Sequence, residues 1–344
     1  MLHEFCAIFP ELPSDPRTLL SNPRFTPKTT VGDGTYVHSG VSDCIRRVTV
    51  SQSRNQGNAL QLQLHIGGMS VFRSSMQKVW PILGRLFEPR STIFIIGLYN
   101  EMSKPTDVHA FLSNLIDDLR VLLCDGLLNV ESGHIQRVEL HSVIADAPAK
   151  AVLKQAKQHI GYCCCPNRIQ KAVYIKGRLA FRTGVSKART YWDFRARIHD
   201  DHHTGISPFE RLPVDMIGVF STEYVHAVCL GLMKRASMLQ VAQNRLVLAI
   251  EYVTCKSPRR CRSLNDVELW KATEYRQFLL YLGPVILRHI LPLEMYENFL
   301  EVSVFTFIFR SGKFATHYLP YVEQQSLRVV RDFAHLRFRE DALG

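Results

Sequence analysis

Residues 92–98, with the sequence TIFIIGL, form an unbroken apolar run as long as one β-strand. Such a run is typical of a strand buried on both faces of a sheet. A helix is predicted next, because residues 104–107 (KPTD) provide a start signal and apolar residues then recur every three or four positions. Residues 138–145 predict a further strand, and residues 149–159 a second helix. The recurring apolar residues of the first helix are Phe111, Leu112, Leu115, Ile116, Leu119 and Leu122.

Two more strands are predicted before this run, over residues 45–50 and 59–66, and the second alternates polar and apolar residues as QLQLHI. Residues 32–34 (GDG) predict a turn. The first 30 residues contain prolines too closely spaced for a long helix, which favours an extended arm. These prolines are Pro10, Pro13, Pro16, Pro23 and Pro27.

The second half of the chain is predicted to be mostly helical from Thr222 onward. A basic, irregular segment of about residues 160–215 separates the two halves. The order of elements therefore indicates an α/β (α+β) protein with a mixed sheet and a large helical second half. The predicted helical segments are 224–239, 241–253, 267–282, 284–290 and 294–309.

The composition indicates a globular protein with a sizeable core, since 46% of the 344 residues are hydrophobic and 21% are charged. No apolar run approaches the roughly 20 residues that cross a bilayer, and the first residues, MLHEF, lack the pattern of a secretory signal. We therefore expect an intracellular protein without a membrane partner. Nine cysteines in such a chain favour reduced thiols over a disulfide framework.

The net charge of +11 is concentrated in residues 150–215, which hold thirteen basic and five acidic residues. Positive charge mixed with aromatic rings favours binding to phosphates and exposed bases. A solvated basic face that keeps the protein soluble explains the charge equally well. The interleaved aromatic residues are Tyr162, Tyr174, Phe181, Tyr191, Trp192 and Phe194.

Several segments, collinear over residues 12–300, resemble the animal branch of CACTA-type (En/Spm-like) DNA transposases. Residues 12–20 (LPSDPRTLL) are similar to the family's LPxDxRTLL segment, and residues 65–75 (HIGGMSVFRSS) to its DGLPLFKSS box. Relative to the family, we expect the chain to be degenerate and truncated at both ends. The other matching segments are WPIL at 80–83, KPTD at 104–107, DAPAKA at 146–151, HIGY at 159–162, HHTGISP at 202–208, EYVHAVCLG at 223–231 and WKATEYRQFLLY at 270–281.

The resemblance implies a ribonuclease-H-like core in which three carboxylates hold two divalent metals for phosphodiester cleavage and strand transfer. We place an extended arm at residues 1–40, the core with its basic insertion at 41–235, and a helical region at 236–344. DNA is the implied partner, with a homo-oligomer as a further possibility, and the nucleus is the expected location. Mg²⁺ or Mn²⁺ would be required if the protein were active; otherwise no cofactor is expected.

The family's acidic residues are only partly present. Gly67 occupies the position of the first acid and offers no side chain to a metal. Asp146 matches the second acid at the end of a strand, although it is also suited to capping a helix. Glu223 replaces the Asp of the family's DYMH motif and is the candidate third acid, with helix-dipole stabilisation as the alternative. We therefore interpret Asp146 and Glu223 as vestigial metal ligands.

A zinc knuckle of the family is also degenerate. Cys165 matches the first ligand of its Cys-x-x-Cys pair, and Arg168 occupies the position of the second. Because a tetrahedral zinc site needs four nitrogen or sulfur donors, Cys165 is expected to be only a remnant. Cys163 and Cys165 with His202 and His203 offer an alternative set of donors, but a cluster of free thiols is favoured.

The primary hypothesis is a transposase-derived protein that is catalytically inactive and still binds DNA. An active metal-dependent transposase or nuclease remains an alternative if the first acid comes from elsewhere, such as Asp33 or Asp43. A non-enzymatic interaction remnant, or a gene product without a role, is a third alternative. The expected DNA-binding residues are Lys154, Lys157, Arg168, Lys171, Lys176, Arg178, Arg182, Lys187 and Arg189.

Overall fold

The computed structural model has two compact units. The first contains residues 1–143 and 207–214, and the second contains residues 144–206 and 215–344. This division differs from the three consecutive segments expected from the sequence. The structure describes isolated positions before residue 19 and residues 26–49, 59–70, 77–129, 133–175, 178–181, 186–233, 261–262 and 264–340.

The protein is mixed α/β, and its main sheet contains both parallel and antiparallel strands. In the first unit the strand order is β1-β2-β6-β5-β3-β9, with β4 paired to β5. The strands are β1 (Thr29–Val31), β2 (Gly34–His38), β3 (Leu60–Ile66), β4 (Met69–Ser70), β5 (Lys78–Leu86), β6 (Phe94–Glu101) and β9 (Val138–Ala145), and the short β7 (Leu127–Leu128) pairs with β8 (Ile135–Gln136).

Strand β3 confirms the alternation predicted over residues 61–66, because Leu62, Leu64 and Ile66 are buried while the residues between them face outward. The predicted turn at Gly32 is also present, and it joins β1 to β2. Strand β2 pairs with β6. Residues 29–38 are therefore part of the sheet and not of an extended arm; most of the preceding proline-rich segment lies outside the described residues.

Strand β6 is not buried on both faces, contrary to the sequence prediction. Ile96 is fully buried, but Ile95 is 50% exposed and Leu98 is 37% exposed. The burial alternates along the strand because only one of its faces packs against the core. A continuous apolar run therefore does not by itself show that both faces of a strand are covered.

Residues 45–50 were predicted as a strand, but helix α1 (Val41–Thr49) occupies this part of the chain. Its buried residues, Val41, Cys44 and Ile45, are spaced three and four apart, as on one helix face. Asp43 lies in its first turn and basic residues lie in its last turn, which suits the helix dipole. The packing of this face therefore outweighs the strand preference of the β-branched residues.

Helix α2 (Val108–Asp125) confirms the predicted helix after residues 104–107. Asp107 caps it by accepting hydrogen bonds from the backbone N–H groups of His109 and Ala110. All six recurring apolar residues are buried. Phe111 packs against three aromatic rings from adjacent strands, with centroid distances of 6.0 Å to Tyr36, 6.4 Å to Trp80 and 5.2 Å to Tyr99. This contact secures the helix to one face of the sheet.

The second unit contains the end of β9 and strand β12 (Phe220–Thr222), which follows β9 in the strand order. Helix α3 (Ala147–Lys154) begins directly after β9. It is shorter than the helix predicted over residues 149–159, because Gln155 adopts a left-handed conformation that ends it. The following basic segment contains the β10 (Val173–Ile175) and β11 (Arg178–Ala180) hairpin, helix α4 (Tyr191–Arg195) and 3₁₀ turns.

The later part of this unit is helical, as predicted. Segments 241–253 and 234–239 lie outside the described residues. No described helix is long and apolar enough to cross a membrane. The elements are a π-helix at Val225–Met233, a 3₁₀ helix at Leu264–Leu269, α5 (Ala272–Gln277), a π-helix at Phe278–Leu282, α6 (Gly283–Ile286), a 3₁₀ turn at Leu287–His289, α7 (Leu293–Arg310) and α8 (Gly312–Glu340).

The packing of α2 predicts that two substitutions on this helix change the free energy of unfolding by very different amounts. Leu115→Ala removes a fully buried side chain and should lower the free energy of unfolding by about 2–5 kcal/mol. Val121→Ala, at a position 57% exposed, should change it by no more than about 0.5 kcal/mol. Urea denaturation followed by circular dichroism measures both, and equal effects would contradict this packing.

Candidate active site

A cavity of about 340 Å³ lies in the second unit, where β9 ends and α3 begins. Its lining includes Asp146 and Glu223, the two acidic residues assigned as vestigial metal ligands. Lys150 and Lys154 of α3 line the same cavity, together with His202. The fold thus brings together two carboxylates from distant parts of the chain, and it places lysines beside them.

Asp146 has a structural role in the cavity wall as the N-cap of α3. Its Oδ1 accepts a hydrogen bond of 2.7 Å from the backbone N–H of Ala149. Pro148 in the first turn has no N–H to satisfy, which suits this helix start. The capping role considered from the sequence is therefore realised, and it uses one oxygen of the candidate ligand.

Glu223 follows β12 and precedes the π-helix Val225–Met233. Its Oε1 accepts a hydrogen bond of 2.8 Å from the Val225 N–H. Its Oε2 lies 2.6 Å from the His226 backbone nitrogen and 2.7 Å from His226 Nδ1. Burial acts to raise the pKa of Glu223, but these hydrogen bonds outweigh it and hold the pKa below its usual value. Both oxygens of the charged carboxylate are thus already occupied.

Gly67 lies in the first unit, directly after β3. A Cβ atom built on it would come no closer than 3.8 Å to another side chain, at His65 Cε1. A Cβ atom therefore fits at position 67, and close packing does not explain why this residue is glycine. Of the alternative first acids, Asp33 lies in the turn between β1 and β2, and Asp43 in α1 forms an ion pair of 2.9 Å with Arg46.

The cavity residues do not fit a centre of two divalent cations. Hard cations require several oxygen ligands, whereas the described cavity wall has two carboxylates, and three of their four oxygens already accept hydrogen bonds. Lys150 and Lys154 line the same cavity, and burial lowers the pKa of both. Over the described ranges, no group of three or more His, Cys, Asp or Glu side chains is placed to hold a metal.

Lys154 is the most deeply buried charged residue of the cavity wall, with 1% of its surface exposed. Its Nζ lies 4.8 Å from the ring centroid of Phe194 and 5.5 Å from that of Phe220. It has no hydrogen-bond partner among the described residues. Burial, followed by repulsion from Lys150 and Arg189, lowers the pKa of Lys154 to about 7.

His202 and His203 are buried beside the thiol cluster of Cys163, Cys164 and Cys165. His202 Nδ1 lies 2.7 Å from the carbonyl oxygen of Cys163. Burial lowers the pKa of both histidines to about 4, so both rings are neutral near pH 7. All three cysteines are free thiols, as favoured from the sequence.

The predicted DNA-binding residues divide into buried and exposed groups. Lys154 and Arg189 are buried, and Arg189 Nε donates to the Cys165 carbonyl, so neither presents its charge at the surface. Lys157 is half-buried, whereas Arg168, Lys171 and Lys187 are exposed. Lys176 and Arg182 lie outside the described residues, and the Arg178 side chain is likewise not described.

Sequence reasoning missed the burial of Lys150 and Lys154. The α3 sequence APAKAVLK has two lysines four residues apart and no other polar side chain, so the two lysines share one helix face. Because lysines are mostly exposed, this pattern predicts a solvent face, and the sequence carries no signal for their burial. Arg168, placed at the second zinc-ligand position, instead donates to the Ser186 carbonyl at 2.8 Å.

Comparison with known proteins adds no assignment to this geometry. No protein-family model matches the sequence, and no curated protein matches it significantly.

The burial of Lys154 predicts a specific dependence of stability on pH. Between about pH 7 and about pH 10 the unfolded chain keeps the Lys154 proton that the folded protein has lost, so the free energy of unfolding rises with pH. Lys154→Met should remove this contribution. It should stabilise the protein by on the order of 1–4 kcal/mol below about pH 7, with a gain that shrinks as pH rises.

Denaturant titrations at several pH values test this expectation. Lys171→Met is the matched control, since Lys171 is exposed. The control should keep the wild-type pH dependence. A Lys154→Met protein that is less stable than the wild type at every pH would show that the ammonium group makes a favourable contact.

Proposed function

We propose that this protein is derived from a CACTA-type transposase, no longer cleaves DNA, and retains DNA binding through its basic segment. The main support for this proposal is the hydrogen bonding of the two acidic residues in the cavity. Asp146 and Glu223 line one cavity, but both serve as hydrogen-bond acceptors for backbone N–H groups. Together with Gly67 in place of the first acid, this supports loss of two-metal chemistry.

The strand arrangement supports descent from a ribonuclease-H-like core. The order β6-β5-β3-β9-β12 contains three sequential antiparallel strands, β3, β5 and β6. Strand β9 then lies on the other side of β3 and is reached through helix α2. Asp146 follows β9 and Glu223 follows β12, so each candidate acid lies at the end of a strand of this sheet. The resemblance of the sequence to CACTA-type transposases also leads us to propose a nuclear location.

DNA binding is supported by the exposed residues of the basic segment. Arg168, Lys171 and Lys187 present positive charge. Tyr174 is 65% exposed and Trp192 is 75% exposed. Cationic side chains bind the phosphate backbone, and exposed aromatic rings offer stacking surfaces for unpaired bases. We place the DNA-binding surface on this segment of the second unit.

The proposal predicts a salt-dependent affinity for DNA that decreases when exposed lysines are neutralised. Lys171→Gln with Lys187→Gln should reduce the slope of log affinity against log salt by about 2 for duplex DNA, since each phosphate contact contributes about 0.9. Fluorescence anisotropy over a salt series measures the slope.

Lys313→Gln is the matched control, because Lys313 is an exposed lysine on α8, outside the basic segment. Its slope should equal that of the wild type. A wild-type slope near zero would exclude phosphate contacts and favour an interaction protein that does not bind nucleic acid.

Loss of catalysis is tested on end-labelled DNA with Mg²⁺ or Mn²⁺. The wild type and Asp146→Asn should both cleave no more than a sample without protein. Asparagine caps helices about as well as aspartate, so this variant keeps the fold while removing the charge. Cleavage by the wild type that disappears in Asp146→Asn would instead show an active enzyme with its first acid elsewhere.

A further inference from the structure

Helices α7 and α8 form an antiparallel hairpin with an exposed aromatic face. Phe307 of α7 is 51% exposed, and on α8 Phe314 is 39% exposed and Tyr318 is 44% exposed. The three rings are adjacent, with centroid distances of 6.0 Å from Phe307 to Phe314 and 6.2 Å from Phe314 to Tyr318. Exposed apolar side chains that join into one patch, unlike scattered ones, mark interaction surfaces.

The exposed face extends along both helices with the spacing of a helix-packing seam. Its residues follow one another at intervals of three or four, which places them on one side of each helix. The opposite side of α7 is also apolar and is buried, at Phe299 and Ile308 among others. A helix that is apolar all round is normally covered on every side. The face contains Leu293, Glu297, Leu300, Val304 and Phe307 on α7, and Phe314, Tyr318 and Tyr321 on α8.

The area of this face suits a second copy of the chain. A phenylalanine or tyrosine side chain can bury roughly 200 Å², and the four aromatic side chains of the face are each about half exposed. They therefore expose on the order of 400 Å² per copy, which is about half of what each partner contributes to a standard interface. Leu293, at 70% exposure, and Val304, at 46%, enlarge the apolar area.

The two ends of the hairpin carry opposite charges. Around the turn, residues 302–322 contain Arg310 and Lys313 but no acidic residue. At the opposite end, a cavity of about 650 Å³ between the helices is lined by four carboxylates and one guanidinium group. Like charges across an interface are unfavourable, so an antiparallel pair of hairpins is preferred over a parallel one. The charged residues of the cavity are Glu294, Glu297, Glu301, Asp332 and Arg328, and Arg328 pairs with Glu301.

We propose that the α7–α8 hairpin is a dimerisation surface, on which a second copy of this chain packs face to face and antiparallel. The two hairpins form a four-helix bundle around the exposed aromatic rings. The basic turn of each copy lies beside the acidic end of the other. Because single charges at the rim of an interface affect orientation more than affinity, the rings supply most of the affinity. This inference does not depend on the proposed DNA binding, which uses the basic segment.

Sedimentation velocity of the full chain at micromolar concentration measures its mass in solution. We expect a dimer of twice the chain mass of 39.4 kDa that dissociates on dilution. Phe307→Glu with Tyr318→Glu should weaken the dimer by about tenfold or more, because it places four carboxylates in the centre of the interface. Both positions are about half exposed in the single chain, so the fold should be kept.

Leu327→Glu is the matched control, because Leu327 is an apolar residue of α8 that is 43% exposed and lies outside the face. This variant should form the wild-type dimer, and circular dichroism should show the same helix content in all three proteins. A wild type that is monomeric at every concentration would overturn the proposal. So would a dimer that persists unchanged in the Phe307 and Tyr318 variant, since the contact would then lie elsewhere.

Arg310→Glu keeps the rings intact and tests the antiparallel arrangement. At low ionic strength it should weaken the dimer by about threefold or more, because the turn loses its attraction to the acidic end of the other copy. Arg310→Glu with Glu297→Arg should recover the wild-type affinity. A stronger dimer in Arg310→Glu would show that the two turns face each other, and unchanged affinity would show that the two ends do not meet. Either result would contradict the proposed arrangement.

Discussion

Asp146 caps helix α3 by accepting a hydrogen bond from the Ala149 N–H, and this cap marks the position from which the faces of the helix are counted. A helix repeats its faces every three or four residues. Lys150 and Lys154, four and eight residues after the cap, therefore share a face with Asp146, and all three line the cavity. Moving the start of the helix by one residue would turn both lysines by about 100° away from this face. The electrostatics of the site thus depend on the register of α3, which this cap and the buried residues of the helix hold together.

Two lysines therefore line this site beside the two carboxylates. A two-metal centre needs carboxylate oxygens that are free to bind cations. Here the oxygens of Glu223 accept hydrogen bonds from Val225 and His226, and burial leaves Lys154 in contact with Phe194 and Phe220. Asp146 and Glu223, the candidate metal ligands implied by the resemblance, accept hydrogen bonds at the starts of helical segments.

Regular patterns allowed several elements to be predicted. The heptad-like spacing of α2, with Asp107 before it, and the alternation in β3 both reflect the period of the element that they form. Helix α1 was mistaken for a strand because its β-branched residues suited either structure, and only its packing distinguishes them. The exposed face of β6 and the early end of α3 at Gln155 also depend on neighbouring elements. Local sequence carries too little information to decide such cases.

The sequence by itself determined the α/β class, the concentration of basic residues over 150–215, and Asp146 and Glu223 as candidate site residues. The class and the charge distribution depend on composition and local period, which need no knowledge of distant contacts, whereas the two acidic residues were implied by the resemblance to a transposase family. Only the tertiary structure decided that Asp146 and Glu223 line one cavity, that Lys154 and Arg189 are buried, and that Lys171 and Lys187 are exposed. Whether a residue is buried, and which residues meet in one cavity, depends on contacts between segments far apart in the chain. Packing therefore decides both, and no local pattern does.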